Sequence, residues 1–124
     1  MKIAINIIYL VFTFLFAGVE PSEEIITGLK QGKSADLVKY FDEKVSIKLI
    51  NQEDVLSKSQ AEANVKYFFE KHSVKNFSST HVSSVNNGAQ YITGSLETSN
   101  GKFRVSILLR RNLIAQFRIE NDND

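Results

Sequence analysis

The chain has 124 residues, 43% apolar and 23% charged, with 15 Lys and Arg against 14 Asp and Glu. That is the length of one domain, and six Gly, one Pro and this apolar fraction exclude collagen-like and disordered chains. The absence of Cys excludes disulfides, thiolate zinc sites and Cys nucleophiles, and a near-neutral balance gives no global field for nucleic acid or an anionic membrane.

Met1-Lys2 precedes an apolar run from Ile3 to Ala17 that only Asn6 and Thr13 interrupt. A positive residue, an apolar run and small residues at Ala17-Gly18 describe a secretory signal peptide over residues 1–18. Leu15 and Phe16 occupy positions where cleavage prefers small residues, and the run is about the minimum that spans a bilayer. An uncleaved anchor helix is therefore the alternative, and it is the only membrane contact expected. The predicted location is outside the cytoplasm, periplasmic or secreted. One domain is expected over residues 20–121, with a frayed tail over 122–124.

Ser22-Glu23-Glu24 opens a short helix with acids in its first turn. Ile25, Ile26 and Leu29 form its apolar stripe, and Gly32 ends it. Ser34 is placed to cap a second helix, with Leu37, Val38 and Phe41 facing inward. Asp42-Glu43-Lys44 reads as a polar break. Val45, Ile47 and Leu49 then alternate with polar residues as a strand, and residues 53–57 fit a short second one. Ser57 with Gln60, or Ser59 with Glu62, fits a capping box. The helix that follows puts Ala61, Val65, Phe68 and Phe69 on one face.

From about Phe77 to Glu120 the period is two, with turns at Asn87-Gly88, Asn100-Gly101 and Arg111-Asn112. An Asn100-Gly101 turn pairs Leu96 with Val105, Gly94 with Ile107 and Ile92 with Leu109. A three-residue loop Arg110-Arg111-Asn112 pairs Leu109 with Leu113, Ile107 with Ala115 and Val105 with Phe117. It is preferred over a two-residue loop because it keeps one face apolar. The opposite face then carries Tyr91, Glu97, Arg104, Leu108, Ile114, Arg118 and Glu120. Glu97, Arg104 and Arg118 fall in one row, either as a surface ion-pair ladder or as a contact for an acidic ligand or partner. Tyr91, Leu108 and Ile114 form an apolar island there, so these three with Arg104 and Arg118 are the candidate outer-face contact residues.

The preceding strand leaves two alternatives. A two-residue turn at Asn87-Gly88 puts His81 on the apolar face opposite Gly94, where small residues leave room for a cavity. A three-residue turn points His81 outward and Val82 inward. His81, Gly94 and the nearby Tyr40 are the candidate ligand-binding residues.

Other motifs fail. Gly28 to Ser34 is one residue short of a phosphate loop and joins helix to helix rather than strand to helix. His72 and His81 are the only histidines, no HExxH exists, and no metal site or cofactor is expected. Asn76-Phe77-Ser78 is a glycosylation sequon by pattern alone. No Ser/His/Asp arrangement stands out, and no catalytic residue is assigned.

Helix, helix, strand, long helix and a meander of long strands is the element order of the nuclear transport factor 2-like fold, which the stretch Ile25 to Phe41 resembles. The whole chain, over about residues 1–121, resembles an exported Bacteroidetes family, domain of unknown function 4783. Tyr40-Phe41, Ser57 to Glu62, Phe68-Phe69, Asn87 to Tyr91, Thr98 to Val105 and Arg118-Ile119-Glu120 carry this resemblance, Thr98 to Val105 most specifically. It implies an α+β fold of the nuclear transport factor 2-like or cystatin-like type. In it a cone-shaped, strongly curved, mostly antiparallel sheet packs on N-terminal helices and one long helix, with a pocket at its open end. It implies no activity. The expected function is that of an exported, non-catalytic binding domain, with a small apolar ligand in the cone or a second copy of the chain on the outer sheet face as candidate partners. The alternative is a small lyase or isomerase-like enzyme using His81.

Overall fold

The computed structural model describes residues 20–84 and 88–122. The signal segment, the tip of the Asn87-Gly88 turn and the last two residues of the tail lie outside them. The order is α1 (Pro21–Gln31), α2 (Ser34–Val38), β1 (Phe41–Leu49), β2 (Gln52–Ser57), α3 (Lys58–Lys71), β3 (Val74–Ser84), β4 (Ala89–Thr98), β5 (Gly101–Arg110) and β6 (Leu113–Asn121). Six strands make one curved sheet in the order β2-β1-β6-β5-β4-β3. Every neighbouring pair is antiparallel except β1 with β6.

Pro21 enters α1 where its missing N–H costs nothing, with Glu23 and Glu24 in the first turn. Gly32 leaves it in the left-handed region (φ 64°), and the Lys33 N–H closes back on the Gly28 carbonyl at 3.0 Å. Ser34 is the first residue of α2 and not its cap; Lys33 holds that position without a side-chain bond. The polar break expected at Asp42 to Lys44 is instead the start of β1. Phe41 is already paired with Ile114 of β6, and Lys44 with Ser57 of β2. At the head of α3, Ser57 and Gln60 form the reciprocal capping box.

The core lies between the concave face of the sheet and the three helices. Ile25 and Leu29 of α1, Leu37 of α2, and Ala61, Val65, Phe68 and Phe69 of α3 meet Val45, Ile47, Ile92, Leu96, Val105, Ile107, Phe117 and Ile119. Each large buried side chain contributes about 1.5–3 kcal/mol of burial.

Two registers differ from expectation. Thr98 pairs with Gly101 and Leu96 with Phe103, so the turn residues are Ser99 and Asn100. Asn100 is held there by tertiary bonds. Its Oδ1 meets His72 Nδ1 at 2.7 Å, and the Ser99 N–H donates to the Ser73 carbonyl at 2.9 Å. The partners slip by two residues, which preserves the faces. The β5–β6 loop has two residues, Arg111 and Asn112, both with positive φ (54° and 65°), the backbone of a primed hairpin turn. Ala115 then bulges, so that Phe117 and Ile119 still point inward. The two-residue loop and the single apolar face are therefore compatible, because the bulge absorbs the odd residue. It also turns Ile114 into the core and leaves Leu113 exposed.

Candidate functional site

The concave face is open at the β1–β2 end. Leu49 pairs with Gln52, Ile47 with Asp54 and Val45 with Leu56, which puts Gln52, Asp54 and Leu56 on the inner side. The turn between the strands is Ile50-Asn51. Ile50 has φ 61°, an uncommon conformation for a β-branched residue. Its N–H is anchored on the Ile119 carbonyl at 2.7 Å and its side chain packs on the core. α3 crosses in front of the hairpin and contributes Asn64. Between them lies a cleft of about 450 Å³, with Ile47, Leu49 and Leu56 as its apolar surface and Asn51, Gln52, Asp54 and Asn64 as polar lining.

The polar lining has a definite hydrogen-bonding state. Asn64 Nδ2 donates to the Gln60 carbonyl at 2.8 Å, one turn back on its own helix. Asp54 Oδ1 accepts the Val55 N–H at 2.8 Å. Glu53, also at the cleft edge, points its carboxylate to the other side of the sheet, where Oε2 meets Arg118 Nη1 at 2.9 Å.

The three residues expected to bind a ligand in the cone are not brought together. His81 pairs with Thr93 on the outer face and is exposed. The cause is a β-bulge between Ser79 and His81, which inverts the facing of the rest of β3 and puts Val82, opposite Ile92, on the inner side. Gly94 does face inward, opposite Ser79, but its space is taken. A Cβ there would come within 2.7 Å of Phe77 Cε1 and would collide with the Ser78 carbonyl oxygen. The Phe77 ring, 1% exposed, fills the place where a cavity was expected. Tyr40 is half-buried beside α1 and donates its hydroxyl proton to Glu24 Oε2. That bond, then burial and the nearby negative charge push its pKa up to about 12, so Tyr40 is a poor proton donor in chemistry near neutrality.

The outer-face candidates are partly dispersed too. Ile114 is fully buried on the opposite side, Leu108 is 3% exposed, and Tyr91 is 40% exposed. Arg104 pairs with Ser95 and Glu120, and Arg118 with Ser106 and Lys48, so the expected row of Glu97, Arg104 and Arg118 does not form. Arg118 instead bridges Glu53 and Glu120, and Lys48 holds Glu120 at 3.0 Å. The Lys48 ammonium, with Arg118 adding to it against some burial, holds the Glu120 carboxyl below its ordinary range.

Sequence reasoning missed Asp54, Asn64, Gln52 and Asn51. Only the capping box at Ser57, which ends β2 and starts α3, pointed to a close hairpin–helix junction here. Among the described residues no group of three or more His, Cys, Asp or Glu is placed to hold a metal ion, and no helix is long and apolar enough to cross a membrane.

A curved sheet of this order, packed on two short helices and one long one, is the nuclear transport factor 2-like fold. The chain belongs to the family described as domain of unknown function DUF4783, whose model matches residues 22–121. It is similar to a DUF4783 family protein from Bacteroides ovatus at 33% identity, over 82% of this chain and 94% of that one, with a TM-score of 0.76. A DUF4783 family protein from Bacteroides uniformis is 32% identical over 82% and 97% of the two chains, with a TM-score of 0.77. A protein named Rd1NTF2_04 with long sheet shares the fold alone, at 16% identity over 80% and 95% of the chains and a TM-score of 0.62. No curated protein is significantly similar to the chain.

Proposed function

We propose that this chain is an exported, non-catalytic binding domain whose ligand site is the cleft between the β1–β2 hairpin and α3. The observation that carries the reading is the contrast within one concave face. Its middle is filled by buried side chains, whereas Ile47, Leu49 and Leu56 at one end line about 450 Å³ of open volume under a polar rim. Small-molecule sites occupy roughly 300–1,000 Å³ and combine such an apolar surface with a few placed polar groups. Acid–base catalysis needs a positioned, partnered group. The cleft holds no His, Tyr or Lys, and Asp54 is bonded only to its own strand. His81, on which an enzymatic reading depended, lies on the other side of the sheet. Export rests on the sequence of residues 1–17.

The test is a fragment titration followed through backbone amide resonances of the 15N-labelled domain. Shifts should concentrate at Ile47, Leu49, Leu56 and Asn64, and Leu56→Trp, which narrows the cleft, should abolish them. Hits that cluster around Tyr91, or that leave the hairpin unperturbed, would overturn the assignment.

A further inference from the structure

Resting on the reading of this cleft as a ligand site, we infer the chemistry of what it takes: a small organic cation, an ammonium or guanidinium on a short apolar body. What decides the class is a balance of charge over an apolar floor. No Lys, Arg or His is among the lining residues. Asn64 gives one of its two amide protons to the Gln60 carbonyl, and its Oδ1 remains an acceptor. Asp54 has committed one oxygen to the Val55 N–H, so its other oxygen remains an acceptor. No cation pairs with Asp54 among the described residues. Glu53, its neighbour, is neutralised by Arg118 on the far side of the sheet. The cleft therefore presents one uncompensated negative charge above Ile47 and Leu56, beside carboxamides that can both donate and accept.

Each alternative class meets an obstacle. An anion would sit against Asp54 with no positive group to hold it. A calcium ion takes six to eight oxygen ligands, and this cleft offers one carboxylate. A wholly apolar ligand would strip water from Asp54, Gln52 and Asn64 without replacing their hydrogen bonds. A cationic head replaces them with charge-assisted bonds, while its apolar body covers the floor. Asp54 is exposed, so the affinity is modest and salt-sensitive.

The experiment compares three probes with one branched body: isopentylammonium, isopentanol and isovalerate. Each is titrated at low ionic strength against the labelled domain and against Asp54→Asn, which keeps the acceptor for the Val55 N–H. The cation should shift the hairpin and Asn64 resonances at about tenfold lower concentration than the alcohol, and isovalerate should not bind. Asp54→Asn should erase that tenfold advantage and leave the alcohol unchanged. Asn64→Leu, which spares the carboxylate, should weaken the cation more than the alcohol. If the alcohol or the carboxylate binds the cleft as well as the cation does, the ligand class is overturned and the cleft assignment stands. Saturable shifts at Asp54 with calcium chloride alone would replace the organic cation by a metal. If no probe of any charge perturbs the hairpin, both the class and the cleft are overturned.

Discussion

The two ends of the sheet solve the same problem in opposite ways. At the β3–β4 end the concave face is closed by a single ring: Phe77 lies across Gly94. At the β1–β2 end the corresponding inner positions are Gln52 and Asp54, which cannot be buried without partners, and the surface stays open. β3 has eleven residues and is covered by α1; β2 has six and stops where Ser57 caps α3. The open end is braced from behind. Glu53, Lys48, Arg118 and Glu120 tie β2, β1 and β6 together on the outer face. In a curved sheet, then, an inner row becomes core where a large apolar side chain and a small neighbour meet under a helix. It becomes a cleft where the strand is short, polar inside and held by its other face.

The largest expected effect comes from emptying the closed end. Phe77→Ala should lower stability by about 3–5 kcal/mol, the usual cost of deleting a buried ring, read from the shift of the denaturation midpoint. A loss below about 1 kcal/mol would mean that the ring is not what fills this end. Gly94→Ala attacks the same contact from the other side and should cost about 1–3 kcal/mol by overpacking. Because the new methyl occupies space the ring has left, the double variant should cost less than the two singles together. Strict additivity would show that Phe77 and Gly94 do not share a site. Some cost must remain, since the Cβ also meets the Ser78 carbonyl.

This contrast also marks what the sequence could reveal. The period-two stretch put Ile92, Leu96, Val105, Ile107, Leu109 and Phe117 on the inner face, and all are buried; it also put Leu113 there, which is exposed, and Ala115, which sits in the bulge. Strand partners were less legible. A slip of two residues leaves alternation intact, and the β4–β5 turn is placed by Asn100 bonding to His72 and to the Lys71 carbonyl, contacts between residues distant in sequence. The bulges at Thr80 and Ala115 decide the facing of His81 and Ile114. The first falls in a run of Ser and Thr, where alternation carries no polarity signal; the second reconciles two local rules that looked exclusive. The cleft was hidden for a related reason. Glu53-Asp54-Val55-Leu56 places one acid and one aliphatic residue at each parity, so only pairing with β1 shows that Asp54 and Leu56 turn inward while Val55 is 64% exposed.

A smaller effect probes the junction that frames the open end. Ser57→Ala removes the hydroxyl that accepts the Gln60 N–H and breaks the capping box. About 1 kcal/mol should be lost. Amide exchange should accelerate in the first turn of α3 and leave the strands around Phe77 unchanged. Uniform acceleration across the chain would deny that the two ends are separable.

The smallest effect belongs to the brace behind the cleft, and its pH dependence has a definite sign. The carboxyl of Glu120 is held below its ordinary pKa, chiefly by the hydrogen bond from Lys48 and further by Arg118. A carboxylate depressed on folding binds fewer protons in the native state than in the unfolded one between the two pKa values, so its contribution is complete above the unfolded value. It is lost as pH falls through the native one. Glu120→Gln should therefore cost less than about 1 kcal/mol near neutrality, as expected for an ion pair in contact with solvent. The gap between variant and wild type should close as the solution is acidified below about pH 4.3, the ordinary glutamate value. High salt at pH 7 should narrow it too. A gap that persisted in acid would mean that Glu120 acts by packing, and that the hairpin is braced by shape and not by charge. The same variant sharpens the comparison of the two ends. Weakening this brace should loosen β2 and the cleft it carries while leaving amide protection at Ile92 and Leu96 unchanged, because the closed end takes its rigidity from the buried ring.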